Sequence, residues 1–434
     1  MESNPDQRVS TDALFMRTQL NNEWHARPTA QMASPFRCSH QVFQRQGPSS
    51  HARENFARLC QSHGQASPVD GSRHHQTTLG SALVKWEGHT DADSVTCLVP
   101  GNAAPLFSEP AFGLAPKPLR SLFGEKLFCG IKVEVLKQTV GDMDMAVIRG
   151  SLGADNLYGG PVADGKASLW SSFLLDAEGF SRIVIVDHEL PPGAIGRLLQ
   201  RVIEADSYRM QAMSALPLAR ETMANLSALE AELEPLMESL AADRDTVDHD
   251  AMLNRLSMMA AQTEHLAAAT SYRFGAAKAY SSIVEQRLEE LREELVLTQP
   301  RYSVFLLRSL QPAMRTCLAA ERRIDQLAQR VSRATSLLNS MVGVRQTQQT
   351  NRMIESMSRN AEMQVRLQEA VEGFSIFVIS YYSLGLINYM LTAAKALGSP
   401  LDPKITTGIM TPLVLVSVWV FVHWVRRRIT QKSD

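Results

Sequence analysis

An α+β cytosolic domain, long antiparallel stalk helices and a C-terminal two-helix transmembrane hairpin make up the fold that this sequence predicts. Three observations carry the prediction. Residues 374–394 and 405–425 each run about 20 residues without a formal charge, the length a helix needs to cross a hydrocarbon core of roughly 30 Å. From Gly193 up to these stretches, apolar residues recur at three- and four-residue steps, as in amphipathic helices. Between Leu79 and Val186 the pattern is instead one of short β-branched and aromatic runs bounded by Gly, Asp or Pro.

Taken in order, residues 1–20 are expected to be a disordered N-terminus, and residues 21–190 an α/β cytosolic domain. That domain starts loop-rich, with a short helix at 52–62 and a Gly/Pro/Ser-rich connector at 64–71. Strands follow at 79–86, 95–99, 127–136, 168–175 and 180–186, with turns at Asp164-Gly165 and Glu178-Gly179. Pro191-Pro192 marks the switch to a helical stalk over 191–373. Its first helix, 194–216, is broken by Pro217; the second runs to about 242, with Pro235 kinking or restarting it.

A long helix is then expected over 251–297, its seam passing through Leu256, Met259, Thr263, Leu266 and Thr270, then Phe274, Ala277, Ser281, Val284, Leu288, Leu291 and Leu295. Pro300 turns the chain back into a last helix over 312–372, which at 1.5 Å per residue would span about 90 Å. Ile324, Leu327, Val331, Ala334, Leu338 and Met341 give it a heptad seam, interrupted by the polar run 345–352 and resumed at Met353, Met357, Ala361 and Val365. Such a helix cannot bury its seam alone, so other parts of the chain or other copies must cover it.

The hairpin occupies 374–425, closed by a short link that carries Gly398, Pro400 and Pro403. A basic tail, 426–434, holds Arg426, Arg427, Arg428 and Lys432, against Lys395, Lys404 and Asp402 in the link. Basic residues beside membrane ends stay cytoplasmic, which places the tail, and with two crossings the body, inside. Residues 1–20 show no basic segment followed by an apolar core, so no secretory signal is expected there. The five cysteines are odd in number, scattered and without a C-x-x-C pair, and read as reduced thiols. A net charge of −1 argues against a nucleic-acid binder driven by phosphate attraction.

Candidate sites are few. Tyr381, Gly385, Asn388 and Thr392 share one side of the first membrane helix, as either a pore lining or a helix-packing face. Neither membrane stretch holds Asp, Glu, Lys or Arg, which argues against a charge-relay pump. Trp24, His25 and Arg27 lie in a Trp-His-Ala-Arg-Pro run that suits a small anion pocket or a structural clasp. Histidines crowd the first part of the chain at His25, His40, His51, His63, His74, His75 and His89, without metal-ligand spacing, so a metal site stays unassigned and no cofactor is expected. Residues 160–167, GPVADGKA, fall short of a phosphate loop: Ala167 replaces its Ser or Thr, and a strand follows where a helix N-terminus is needed. No G-x-S-x-G is present, and the acidic pairs Glu289-Glu290 and Glu293-Glu294 read as solvated helix surface.

Several stretches resemble an uncharacterised bacterial membrane-anchored family, domain of unknown function 3422: LNNEWHARP at 20–28, KWEGHT at 85–90, the run 158–180, YRMQAMSALPLA at 208–219, YRFGAAKAY at 272–280 and VEGFSIFVISYYSLGLINYM at 371–390. The resemblance implies a bacterial inner-membrane protein and brings no chemistry. The layout is also similar to the CorA-type divalent-cation transporters, whose first membrane helix ends in Gly-Met-Asn. Here Gly385-Leu386-Ile387-Asn388 has one residue too many, and the acidic external loop of that family is replaced by the link with Lys395 and Lys404. The expectation is a self-associating protein of the lipid bilayer used in ion permeation or ion sensing. A non-conducting scaffold and a membrane-tethered enzyme are the two alternatives.

Overall fold

The computed structural model describes residues 31–45, 49–89, 91–117, 127–139, 143–242, 248–296, 299–397 and 402–430, with a few isolated positions besides. Trp24, His25 and Arg27, most of residues 1–20, for which disorder was expected, and the end of the basic tail lie outside the described residues. The chain divides into two compact units, Met1–Thr335 and Ser336–Asp434.

The first unit is built on a mixed sheet of eight strands among the described residues: β1 (Phe36–Gln44), β2 (His74–Leu79), β3 (Ala82–Gly88), β4 (Ala92–Pro100), β5 (Leu127–Lys137), β6 (Tyr158–Val162), β7 (Ala167–Leu175) and β8 (Ser181–Asp187). Their spatial order is β2-β3-β4-β1-β5-β8-β7-β6, with β5 and β8 parallel and the other neighbours antiparallel. The helices are α1 (Ser49–Ser62), α2 (Ala111–Leu114), α3 (Met145–Leu152), α4 (Ala194–Met213), α5 (Leu216–Ala241), α6 (His249–Glu290), α7 (Tyr302–Ala396) and α8 (Pro403–Thr430).

Strand alternation sorts the sheet into two faces. Phe36, Cys38, Ile131, Val133, Leu169 and Ile183 join Leu198, Val202 and Ile203 of α4 and Leu306 and Leu310 of α7 in the main core. On the opposite face α1 and α2 bring Phe56, Leu59 and Phe112 against Val84, Trp86 and Val95, while α3 sets Ile148 and Leu152 on Trp170, Val184 and Val186. Burying each such side chain contributes roughly 1.5–3 kcal/mol, which is why the alternation, and not strand propensity, fixes the register.

β1 corrects the loop-rich reading of residues 20–80. It is the central strand, paired with β4 on one side and β5 on the other. Ser39, His40 and Gln41 are buried in it, so its polar residues hid a core strand. The predicted strand at 79–86 is in fact a hairpin, split by Gly80 at φ 64° into β2 and β3. α3 and β6 also come from segments read as connections.

The long helix predicted to 297 ends at Glu290, because the chain then crosses the sheet edge. Ala163 N–H donates to Leu291 O, Glu294 N–H to Pro161 O and Gly159 N–H to Pro300 O, so this connection covers β6. Leu295, expected in the seam, is exposed, whereas Leu256, Met259, Thr263, Thr270, Phe274, Ala277, Ser281, Val284, Leu288 and Leu291 are buried. α7 starts at Tyr302, ten residues before the predicted start. Glu293 accepts the backbone N–H groups of Tyr302 and Ser303 and caps it. Pro312 sits inside α7 on its exposed side, where water can satisfy the carbonyl it frees.

In the second unit, α7 from Ser336 onward and α8 are the two helices long and apolar enough to cross a membrane. Only 6% and 0% of their apolar windows are buried, unlike the core helix of a soluble protein. The two helices are clipped at their link by Lys395 Nζ, 3.2 Å from Asp402 Oδ2.

Candidate functional site

The four predicted membrane-face residues fall on α7 as their spacing requires, but they do not act alike. Thr407 Oγ1 of α8 donates to Pro403 O in its own helix at 2.7 Å and lies 3.4 Å from Asn388 Oδ1, a longer contact between the two helices. Thr392 Oγ1 turns back to the carbonyl of Asn388. Tyr381 is 76% exposed. Gly385 has nothing within 4 Å of where a Cβ would stand, so no part of its own chain uses the space. Beside them Ser380 is buried, with its hydroxyl unpartnered among the described residues, and Phe377, Val378, Tyr382, Leu384 and Leu415 line the same groove.

The first unit holds a second polar centre, which the sequence did not reveal. α4 packs on the sheet through apolar residues over β5, but over β1, β3 and β4 the sheet presents His40, Lys85, Glu87, Ser94 and Thr96. Opposite them α4 places Gln200, Glu204, Ser207 and Gln211, leaving a chamber of about 20 Å³. That is room for about one water. Lys85 Nζ lies 3.0 Å from Glu87 Oε1, both buried, and His40 Nδ1 lies 2.8 Å from Thr96 Oγ1. Ser207 Oγ and Gln211 Oε1 have no hydrogen-bond partner among the described residues. Burial lowers the His40 pKa to about 4, so the ring is neutral at pH 7. Burial alone would raise the Glu87 carboxyl, but the charge and hydrogen bond of Lys85 outweigh it and hold the group below its ordinary value.

The rim of this chamber joins three elements. His89 Nε2 is 3.3 Å from Ser94 Oγ, and its ring meets Tyr208 edge-on. Tyr208 stacks on Tyr280 of α6 at 5.4 Å, and Tyr280 Oη donates to Asp91 at 3.0 Å. Arg201 and Arg287 bridge Glu290 and Glu204 between α4 and α6. Next to the chamber Asp206 is held by Arg209 at 2.6 Å and by Ser181 Oγ at 2.7 Å. These groups neutralise one another and fasten α4 and α6 to the sheet.

Against known proteins, the family described as "Protein of unknown function (DUF3422)" matches residues 14–429, nearly the whole chain. This chain belongs to the DUF3422 family. No curated protein matches it. A solved structure described as "structure of the full-length CmaX protein" aligns over 69% of this chain and 89% of its own at 12% identity, with a TM-score of 0.18, too low to describe a common fold. The likeness to CorA-type transporters drawn from layout gains no support from these matches.

The remaining motifs take structural places in this DUF3422 chain. Ala163 and Asp164, with φ of 53° and 59°, form a left-handed turn before β7, and Arg292 pairs with Asp164, so GPVADGKA is a hairpin turn packed on the α6–α7 connection. His63 bonds Leu59 O and His75 bonds Ala66 O. Among the described residues no group of three or more His, Cys, Asp or Glu could hold a metal ion. All five cysteines are free and buried, and burial pushes the Cys38 and Cys129 thiols up, away from nucleophilic thiolate. A cleft of about 500 Å³ between α6 and α7 has an apolar floor of Phe274, Met314 and Leu318, with Lys278, Arg315, Glu285 and Glu321 around it.

Proposed function

We propose that this chain is an integral membrane protein crossing the bacterial inner membrane twice, with both ends cytoplasmic, and that copies of it assemble into an ion-permeation or ion-sensing homo-oligomer. The observation that carries this reading is the exposure of Tyr381, Asn388 and Thr392 beside a groove with the orphaned hydroxyl of Ser380, on a helix whose surroundings are otherwise apolar. Polar side chains at membrane depth need protein or water beside them, and a single hairpin leaves Tyr381 and Thr392 facing outward. Copies packed around an axis would supply both. No catalytic role is assigned: the chamber of the body admits about one water, too little for a substrate.

Reconstituted in proteoliposomes, the full chain is expected to pass ions down a gradient, with Gly385→Leu and Asn388→Ala reducing the flux. Absence of flux under common cation and anion gradients, or flux unaltered by both variants, contradicts the reading. A second reading, a non-conducting membrane tether for the α/β body, draws on the contact of Asn388 with Thr407, which places one face residue against the other helix of the hairpin. It predicts that an unrelated two-helix hairpin restores function in cells.

A further inference from the structure

We infer that the surface covering α7 in the second unit is the α7 of a second copy, parallel and in register, along one seam that runs from the stalk into the membrane. The inference rests on the homo-oligomer reading above and specifies its interface. Met353, Met357, Leu367, Val371, Phe374 and Val378 all fall on a single alternation of three- and four-residue steps, which Asn360 and Gln364 complete. Carried forward, the same steps land on Tyr381, Gly385, Asn388 and Thr392. The membrane face and this exposed stripe are one feature, which passes through Asn360 and Gln364 and not through Ala361 and Val365, where the stalk seam was expected. The five apolar positions up to Phe374 are 59–77% exposed, so nothing in their own chain buries them.

The charges say what kind of surface lies opposite. Every charged residue from Arg345 to Glu372 falls on the far side of the helix, outside both the seam and the positions that flank it. Arg345, Arg352, Arg359 and Arg366 recur every seven residues, and so do Glu355, Glu362 and Glu369. A strict seven-residue period, unlike the 3.6-residue turn of a lone helix, belongs to helices that supercoil around like helices. A bilayer surface would instead favour basic residues beside the apolar face, whereas here acidic and basic residues alternate away from it.

Direction and register follow from the polar members. Two copies entering one bilayer by the same helix run parallel there. In register, Asn360 meets Asn360 and Gln364 meets Gln364, so each buried amide finds a hydrogen-bonding partner of its own kind. α8 lies mainly against another side of α7, where Ser380 is buried and Leu384, Ile387 and Leu391 are half-buried, and it reaches the seam at Asn388 through Thr407.

Single cysteines introduced into the full chain, oxidised in membranes, test this. Met357→Cys, Leu367→Cys and Phe374→Cys are expected to give disulfide-linked dimers with yields about tenfold above Ser358→Cys and Glu362→Cys, as seam and outer positions of a parallel coil require. The parent chain, whose five cysteines are buried, sets the background. If the detergent-solubilised chain is oligomeric by light scattering but the outer positions cross-link as well as the seam, the inferred interface is wrong while the oligomer stands. A monomer without cross-links overturns both.

Discussion

Lys85 and Glu87 form a buried ion pair of this fold. Each lies on the α4-facing side of β3, at 4% and 8% exposure, so neither charge reaches bulk solvent. Removing one partner strands the other: Glu87→Leu is expected to cost about 3–5 kcal/mol, with Lys85→Met added to it recovering most of that loss in urea melts followed by tryptophan fluorescence. A second prediction concerns acid. His40 faces Glu87, Lys85, His89 and Asp206, and burial holds its folded pKa at about 4, below the ordinary histidine value of 6.5. The neutral ring therefore favours the folded state above pH 6.5, and this contribution, about 3 kcal/mol, is lost as pH falls from 6.5 towards 4. Glu87, also held below its ordinary value, loses stability in the same direction. His40→Asn is expected to flatten the stability profile across that window; an unchanged slope contradicts a buried neutral His40. None of this was legible beforehand, because a His or Glu on an alternating strand looks the same whether its face meets water or a helix.

At the scale of elements, the sequence was most readable where a period persisted and least where a segment ended. The seams of α6 and α7 were visible because a buried stripe repeats over many turns, and Ile324, Leu327, Val331, Ala334 and Leu338 are indeed buried. The ends were misplaced, since they depend on distant partners. α7 begins at Tyr302 because Glu293 caps it, so Glu293→Ala is expected to cost about 1 kcal/mol and lower the melting temperature by a few degrees. β6 went unseen because its strand character lies in pairing, not composition. Gly159 there has φ 143°, and a Cβ would stand 1.9 Å from Leu169 O. Gly159→Ala should therefore break the β6–β7 ladder, seen as faster amide exchange at residues 167–171, while Gly64→Ala, with open space around it, should leave that exchange unchanged.

For the whole molecule, the order of parts was legible from composition: an α/β body, long helices, then two uncharged stretches. The spacing of Tyr381, Gly385, Asn388 and Thr392 on one side of α7 was readable in the sequence, while the side taken by α8 emerged only from exposure. The polar chamber was not legible at all, being assembled from three strands and a helix far apart in sequence. Everything proposed for assembly and ion passage depends on residues 374–425 residing in lipid. Alkaline extraction of membranes carrying the full chain tests that most directly: the protein is expected to stay in the pellet and float with the bilayer fraction, and its release into the supernatant would contradict the account.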